Sequence, residues 1–368
     1  MIRTDRSISM LRRILSAALL ALPALAHAEP SGGALPVDPV ELVAGRETKG
    51  EATIFVDHGD YRYVFIDEAN KARFLSAPDR YEIQMGGACA RMGPLSGRGR
   101  PDLYAVHDDL IYIFASESCR ATFLKNAERM VEADDERPTF TDQDAARGEA
   151  LLDQALAAHG GAERLDALRN VVLFSSSERQ TNAGVARLTS TITLVFGEAI
   201  HKRDTWDDYV WGFVATPVDA FSYSKSGAES LSPAQVKALG RLAAANPIAI
   251  LRARIHPDFT VGALPDGALG DTPVDRARVW FHGFGATVSL DRDTHRVLAI
   301  TCRDRGPSML IGEVEIRFSD FAVSNGVLTP RRIDAFFDGE PWPDRSGPVD
   351  FRVDAEIDRT ALARERPS

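Results

Sequence analysis

The sequence predicts an α+β protein with two parts: small tandem strand-helix repeats, then a large antiparallel half-open β-barrel packed on helices. Three observations support this prediction. A unit of about 49 residues is duplicated within 38–131. Helical patterns then cover 141–169, and from residue 170 onward apolar residues alternate with a period of two. Strands that are segregated from helices along the chain are typical of α+β domains.

The first 28 residues predict a secretory signal peptide. Four arginines within residues 3–13 form a positive region, the apolar run ILSAALLALPALA follows, and Ala26-His27-Ala28 matches an A-x-A cleavage site. The run is too short to span a bilayer permanently, and no later segment reaches about 18 apolar residues. We therefore predict a periplasmic protein, cleaved after Ala28, with no stable membrane insertion.

Composition narrows the classes of partner. The 368 residues carry a net charge of −10, and loss of the arginine-rich signal peptide makes the chain more acidic. Such acidity argues against nucleic acid and anionic membrane surfaces as main partners. The three cysteines are too few for a disulfide scaffold, and their odd number leaves at least one thiol unpaired.

The duplication is clearest between residues 58–81 and 107–130, which share nine identities in 24 positions. Asp67 in the first copy and Ser116 in the second are placed to cap a helix. Cys119 then lies at the third helical position, and Asn70 takes its place in the first copy.

Cys119 is a candidate reactive residue. Free N–H groups and the helix dipole favour a thiolate at its position, which suits metal ligation or redox chemistry. The alternatives are a structural disulfide with Cys89, natural after export, or two inert thiols. His107 could supply a nitrogen ligand, but its counterpart His58 survives in the copy that lacks both thiols, which favours a structural hydrogen bond.

The second copy combines a strand end, a helix cap and a helix in the residues Tyr112, Phe114, Ser116, Cys119, Phe123 and Leu124. With these residues it resembles the YHS domain, a small module of metal-handling proteins and oxygenases. Cys89, in GGACARMG, stands where that family places its other cysteine, whereas the first copy has Asp38-Pro39-Val40 there and lacks the thiol. The resemblance implies two modules, 38–83 and 84–131, and a transition-metal site at Cys89, Cys119 and His107 in the second; no other cofactor is indicated.

Beyond an acidic linker predicted at 132–144, Thr141 is placed to cap a helix and Gly160-Gly161 to end it. The strands that follow are interrupted by a helical segment at 232–254. Ser232 caps this segment, Pro233 follows, and Asn246-Pro247 breaks it midway.

Region 145–358 contains the segment HGGAERLDALRNV and the hairpin SLDRDTHRVLAI, with strands continuing to the C-terminus. In these features it resembles the periplasmic lipoprotein-carrier superfamily (LolA/LolB-type). The resemblance implies a half-open barrel that holds acyl chains, with the helical segment 232–254 as a lid.

Aromatic residues cluster on two adjacent predicted strands. Tyr209, Trp211 and Phe213 alternate onto one face. They predict either the wall of an apolar pocket or an ordinary core. The candidate ligand-binding residues are Trp206, Tyr209, Trp211, Phe213, Phe221 and Trp280.

Catalytic signatures such as G-x-S-x-G, H-E-x-x-H, C-x-x-C and a Walker loop do not occur. We therefore expect a non-catalytic exported envelope protein. The first hypothesis is that the half-barrel binds an apolar small molecule, a lipid or the acyl chain of a lipoprotein. The alternative is metal binding or sensing by Cys89 and Cys119.

Overall fold

The computed structural model describes residues 30–131, 133–181, 184–207 and 209–364, without the side chains of 179–181. The predicted signal peptide lies outside the described residues. Within them, no helix is long and apolar enough to cross a membrane. The architecture is mixed α+β with one large open antiparallel sheet, so the predicted fold class is confirmed at this coarse level.

The N-terminal part contains two small units of similar construction. In each unit an antiparallel strand pair is followed by a helix, as the capping residues predict. The first unit contains β1 (Ala34–Leu35), α1 (Pro39–Val43), β2 (Glu51–His58), β3 (Tyr61–Phe65), α2 (Glu68–Ser76) and α3 (Pro78–Tyr81). The second contains β4 (Arg100–His107), β5 (Leu110–Phe114) and α4 (Glu117–Asn126).

Matched aromatic contacts hold the helix to the strands in both units. The Phe74 ring of α2 lies 4.7 Å from the Tyr63 ring of β3, measured between centroids. In the second unit the corresponding distance, from Phe123 to Tyr112, is 5.2 Å. All four side chains are fully buried, so core packing explains two of the nine identities between the copies. The resemblance to the YHS module itself stays a prediction.

The C-terminal part is the large sheet with four helices. The helices are α5 (Asp142–Ala158), α6 (Ala162–Asp166), α7 (Pro233–Ala244) and α8 (Pro247–Ala253). The strands before α7 are β6 (Asn170–Thr181), β7 (Gly184–Val195), β8 (Ala199–Trp206), β9 (Tyr209–Ala215), β10 (Ala220–Ser224) and β11 (Gly227–Ser230). Those after α8 are β12 (Thr260–Leu269), β13 (Thr272–Phe281), β14 (Phe284–Asp291), β15 (Val297–Arg305), β16 (Ile311–Ser319), β17 (Ala322–Ser324), β18 (Val327–Thr329), β19 (Arg332–Phe337), β20 (Glu340–Pro341) and β21 (Gly347–Val353).

Consecutive strands form hairpins, and the sheet order is β11-β10-β9-β8-β7-β6-β21-β19-β16-β15-β14-β13-β12. The last strand, β21, pairs with β6 on one side and β19 on the other, so it joins two runs of hairpins into one sheet. β11 and β12 are the two ends of this order, so the sheet is open.

Helices α5 and α8 pack on the sheet through the largest apolar cluster, in which Leu156, Ile248 and Val279 are buried. Helix α5 approaches β12 closely because two glycines meet there. A Cβ on Gly148 would lie 2.6 Å from the Cα of Gly262, closer than real Cβ contacts. Larger side chains at these positions would push α5 off the sheet.

The predicted linker packs against the sheet part. The Asp135 carboxylate pairs with Arg241 of α7 at 3.0 Å and accepts a hydrogen bond from the Gly285 N–H of β14 at 2.9 Å. The Asp135 carbonyl accepts from the Trp280 ring N–H at 2.7 Å. Asp135 of the predicted acidic linker therefore attaches this segment to α7 and β14.

Strand β12 is the longest of the strands that were not predicted from the sequence. β12 contains Pro265 and Gly267, residues that normally weaken a strand. Its pairing with β13 shifts register between Leu264 and Gly267, and β12 lies at an end of the sheet order. A proline without an N–H is tolerated there because an edge strand need not donate on its outer side.

Candidate functional site

A cavity of about 580 Å³, which we call the main cavity, lies between the sheet and α7. Its wall is built by alternation: Leu188, Ser190, Ile192 and Leu194 of β7 all point into it. Inward positions recur every second residue in a strand, so one face of β7 supplies four lining side chains. β6, β8 and β21 add further lining residues, among them Leu173 and Phe351.

The opposite side of the main cavity is formed by the end of α7 and a C-terminal turn. Leu242, Ala243 and Asn246 line it from the helix side, and Trp342 lines it from the segment that follows β20. The lining is mainly apolar, and the volume is in the range of sites that hold small molecules. This arrangement suits an extended apolar ligand.

Three of the predicted ligand-binding residues line the main cavity: Trp206, Tyr209 and Trp211. Trp206 and Tyr209 form the end of the β8–β9 hairpin and are 38% and 51% exposed, unusually open for large side chains. Trp211 lies deeper, with the Lys202 ammonium 5.3 Å from its ring centroid.

An internal ion pair supplies charge on the wall of the main cavity. Lys202 and Asp204 of β8 pair with each other, and the Ser190 hydroxyl donates to Asp204 at 2.7 Å. Both charged side chains are mostly buried. Because the two charges are satisfied locally, they leave the wall neutral overall.

The other predicted ligand-binding residues lie elsewhere. Phe213 is buried in a small core with Leu239 of α7, so it attaches the helix to β9. Phe221 of β10 pairs with Val214 and therefore lies on the opposite face of the sheet, where the Arg364 guanidinium lies 5.1 Å from its ring centroid. Trp280 contacts the linker through its hydrogen bond to Asp135. The aromatic pattern therefore contains both of the predicted outcomes, pocket wall and core.

A second cavity of about 680 Å³, which we call the side cavity, lies on the other side of the α7–α8 pair. It shares Leu194 and Ala243 with the main cavity, and it is lined by Phe196, Arg252 and Phe281 among others. The Arg252 guanidinium lies 4.0 Å from the Phe196 ring centroid and donates to two backbone carbonyls of the α6 region. Burial lowers the pKa of Arg252 from its ordinary value.

The predicted metal residues do not form a metal centre. Among the described residues, no three His, Cys, Asp or Glu side chains are grouped to hold an ion. The His107 ring stacks edge-on against Phe123, with centroids 6.0 Å apart, and its counterpart His58 stacks on Phe74 in the same way at 5.6 Å. This shared contact gives both histidines a packing role, and the metal hypothesis has no structural support.

The three cysteines are present as free thiols. Cys89 is fully buried, and Cys119 is half-buried at the start of α4, where its N–H donates to the Ser116 cap at 3.2 Å. The two thiols lie next to each other, and each affects the pKa of the other. Cys302 is buried in β15 within the core of the sheet part, as expected for a small apolar residue.

Several lining residues were missed from the sequence. Leu188 and Ile192 belong to an alternating run that was assigned as strand but not as cavity wall, and that alternation was the available signal. Trp342 carried no such signal, because it lies in an irregular segment between β20 and β21. Its ring packs edge-on against Phe337, with centroids 6.4 Å apart, and the Arg345 guanidinium lies 5.2 Å from its centroid.

No family model and no curated protein matches this chain. Among solved structures, a domain described as an outer membrane lipoprotein-sorting protein from Vibrio parahaemolyticus is 10% identical, with a TM-score of 0.37 over 59% of this chain and 97% of that one. A LolA superfamily protein from Nitrosomonas europaea is 12% identical, with a TM-score of 0.37 over the same two shares.

Proposed function

We propose that this protein is a non-catalytic binding protein that holds an acyl chain of a lipid or lipoprotein in the main cavity. The observation that carries the proposal is the cavity itself: about 580 Å³, walled by alternating apolar residues of β7 and open at an aromatic hairpin end. Burying an acyl chain there is favourable by roughly 25 cal/mol for each Å² removed from water.

The charges around the main cavity fit a ligand whose buried part is uncharged. Lys202 and Asp204 neutralise each other, so an acyl chain that enters need not bring a counter-ion. Trp206 and Tyr209 are suited to the mouth because each has an apolar ring and a polar tip that can stay in water. The ligand's polar end would then face solvent beside these two residues.

Helices α7 and α8 form the helical side of the proposed site. Asn246 interrupts them between the two cavities, where its side chain caps α8 by accepting from the Ala249 N–H at 2.9 Å. Helix α8 is buried in the core of the sheet part, so any lid role of the predicted segment 232–254 belongs to α7. The predicted signal peptide makes the envelope the compartment in which such a ligand would be met.

The first experiment measures binding of a solvatochromic fatty-acid probe to the full mature chain. We expect saturable binding, and Trp211→Ala should weaken it by about 1–3 kcal/mol because aromatic burial is lost. That loss corresponds to a dissociation constant roughly 5–150-fold higher. Trp280→Ala is the matched control, because Trp280 lies outside the lining of the main cavity.

Two results would contradict the proposal. One is absence of probe binding to the folded wild-type chain. The other is an equal loss of affinity in the Trp211 and Trp280 variants, which would place the probe outside the main cavity. Circular dichroism and the urea midpoint show whether each variant is folded before its affinity is interpreted.

A further inference from the structure

The thiol pair of the second unit occupies the place of a different polar pair in the first unit. In the first unit, the buried Asp38 carboxylate accepts from the Asn70 side-chain amide at 2.9 Å and from the Ile66 N–H at 2.8 Å. In the second unit, Cys89 interacts with Cys119 and accepts from the Ala115 N–H. Asn70, Ile66, Cys119 and Ala115 are related by the 49-residue repeat.

This correspondence shows that the position requires a polar pair and does not require sulfur. Asp38 and Asn70 satisfy the same strand end and helix start with a carboxylate and an amide. Packing therefore explains why the position is polar in both units, but it does not explain why one unit has two thiols. Thiols differ from the Asp–Asn pair in their redox chemistry.

The two sulfurs are unequal in access and in environment. Cys119 is half-buried, at the third position of α4, with the Ser116 hydroxyl and the Arg91 guanidinium beside its sulfur. Cys89 is only 1% exposed and lies directly behind it. A small reagent in solvent therefore reaches Cys119 first and Cys89 only through Cys119.

We propose that Cys119 and Cys89 form a dithiol–disulfide couple that exchanges with low-molecular-weight disulfides. The Cys119 thiolate attacks one sulfur of the reagent disulfide, forming a mixed disulfide and releasing one thiolate, which takes up a proton. Cys89 then loses its proton and attacks the Cys119 sulfur, which releases the second thiol. Two protein thiols are oxidised, and one reagent disulfide is reduced to two thiols.

The acidities of the thiols agree with these roles. Burial acts to raise the pKa of Cys119, but hydrogen bonds from Ser116, Cys89 and Arg91 outweigh it, and the pKa lies below its ordinary value. Burial raises the pKa of Cys89. A nucleophile with the lower pKa and a resolving thiol behind it is the arrangement that exchange requires.

Cys302 is an internal control within the same chain. It is 4% exposed in β15, and burial raises its pKa to about 12. Neither access nor ionisation favours its reaction with a disulfide at neutral pH.

The test equilibrates the full mature chain with mixtures of reduced and oxidised glutathione, quenches with acid, and alkylates free thiols after denaturation. Intact-mass and peptide analysis should show three alkylated cysteines in reducing mixtures and one, Cys302, in oxidising mixtures. Cys89→Ser should trap one glutathione on Cys119, whereas Cys119→Ser should leave both remaining thiols unmodified.

The first unit supplies a control variant that keeps the fold. Cys89→Asp combined with Cys119→Asn transplants the Asp38–Asn70 pair, so this variant should fold and show no glutathione-dependent change. The proposal is overturned if three cysteines remain alkylated at every glutathione ratio. It is also overturned if Cys302 is modified as readily as Cys119, or if the Cys89→Ser chain forms no adduct.

Discussion

At the scale of single residues, burial determines the protonation state of His159, which the sequence leaves open. It ends α5, where a helix dipole favours a protonated imidazole. Its ring is instead fully buried, with Nδ1 donating to the Leu328 carbonyl at 2.8 Å and Nε2 accepting from the Val297 N–H at 3.1 Å. Accepting at Nε2 requires the neutral tautomer.

This histidine predicts a loss of stability in mild acid. Burial first, and then the nearby Arg296 charge, lower the pKa of His159 in the folded chain. The unfolded chain therefore takes up the proton first, and the stabilisation that is present above the unfolded pKa, near 6.5, is lost as the pH falls through the folded pKa. Each pKa unit between the folded and the unfolded chain changes the free energy of unfolding by about 1.4 kcal/mol.

The measurement is the urea midpoint at a series of pH values between 7.5 and 5. The wild-type midpoint should fall on acidification, and His159→Gln should be less stable at pH 7.5 but show a shallower slope. His282→Gln is the control, because His282 has an exposed side chain. An unchanged slope in the His159 variant would contradict the assignment.

At the scale of elements, the α7–α8 break is set by one side chain. Asn246 caps α8 through its carbonyl oxygen, and its amide donates to the Ala243 carbonyl of α7 at 2.7 Å. Pro247 follows at the first helical position, where its missing N–H is harmless. The junction is therefore fixed by local hydrogen bonds, between the two cavities.

Asn246→Ala should destabilise the chain by about 1–2 kcal/mol, the usual cost of losing a cap. Because Asn246 lines the main cavity, the variant should also alter the affinity for the fatty-acid probe. Ser232→Ala, which removes the cap at the other end of α7, serves as control: it should cost similar stability with little change in affinity. Equal effects of both variants on affinity would show that the change does not come from the position of Asn246 in the main cavity.

At the scale of the whole molecule, charged contacts attach the N-terminal units to the sheet part. Arg98 bridges Asp60 of the first unit and Glu229 of β11 at 2.7 and 3.0 Å. Arg129 pairs with Asp338 at 2.6 Å. Gly86 adds a close approach to α7, since a Cβ there would lie 2.0 Å from the Ser232 hydroxyl. The units thus contact the helix that borders both cavities.

The docked linker predicts resistance to trypsin at Arg137. That side chain donates to the Thr260 hydroxyl at 2.9 Å and lies over the Trp280 ring. Asp135→Ala removes the contacts to Arg241 and Gly285, so local opening should become easier and cleavage at Arg137 should speed up several-fold. Asp142→Ala is the control, because it leaves those contacts intact. Rapid cleavage of the native wild-type chain would contradict a docked linker.

The sequence by itself determined features that depend on neighbours along the chain. Capping residues such as Asp67, Ser116 and Thr141 placed helix starts because their partners lie three residues away. Period-two alternation placed most strands, and the repeat placed Cys119 opposite Asn70. These signals are local, so they can be read from the sequence without knowledge of the tertiary structure.

Only the tertiary structure decided which of these residues form a site. Trp211 and Phe213 share one face of β9, yet one lines the main cavity and the other lies in the core, because α7 covers only part of that face. The ion pair of Asp135 with Arg241 and the hydrogen bond of Asn70 to Asp38 likewise join residues that are far apart in sequence. Cavities and buried pairs arise where distant elements meet, and a pattern along one strand carries no information about what packs against it.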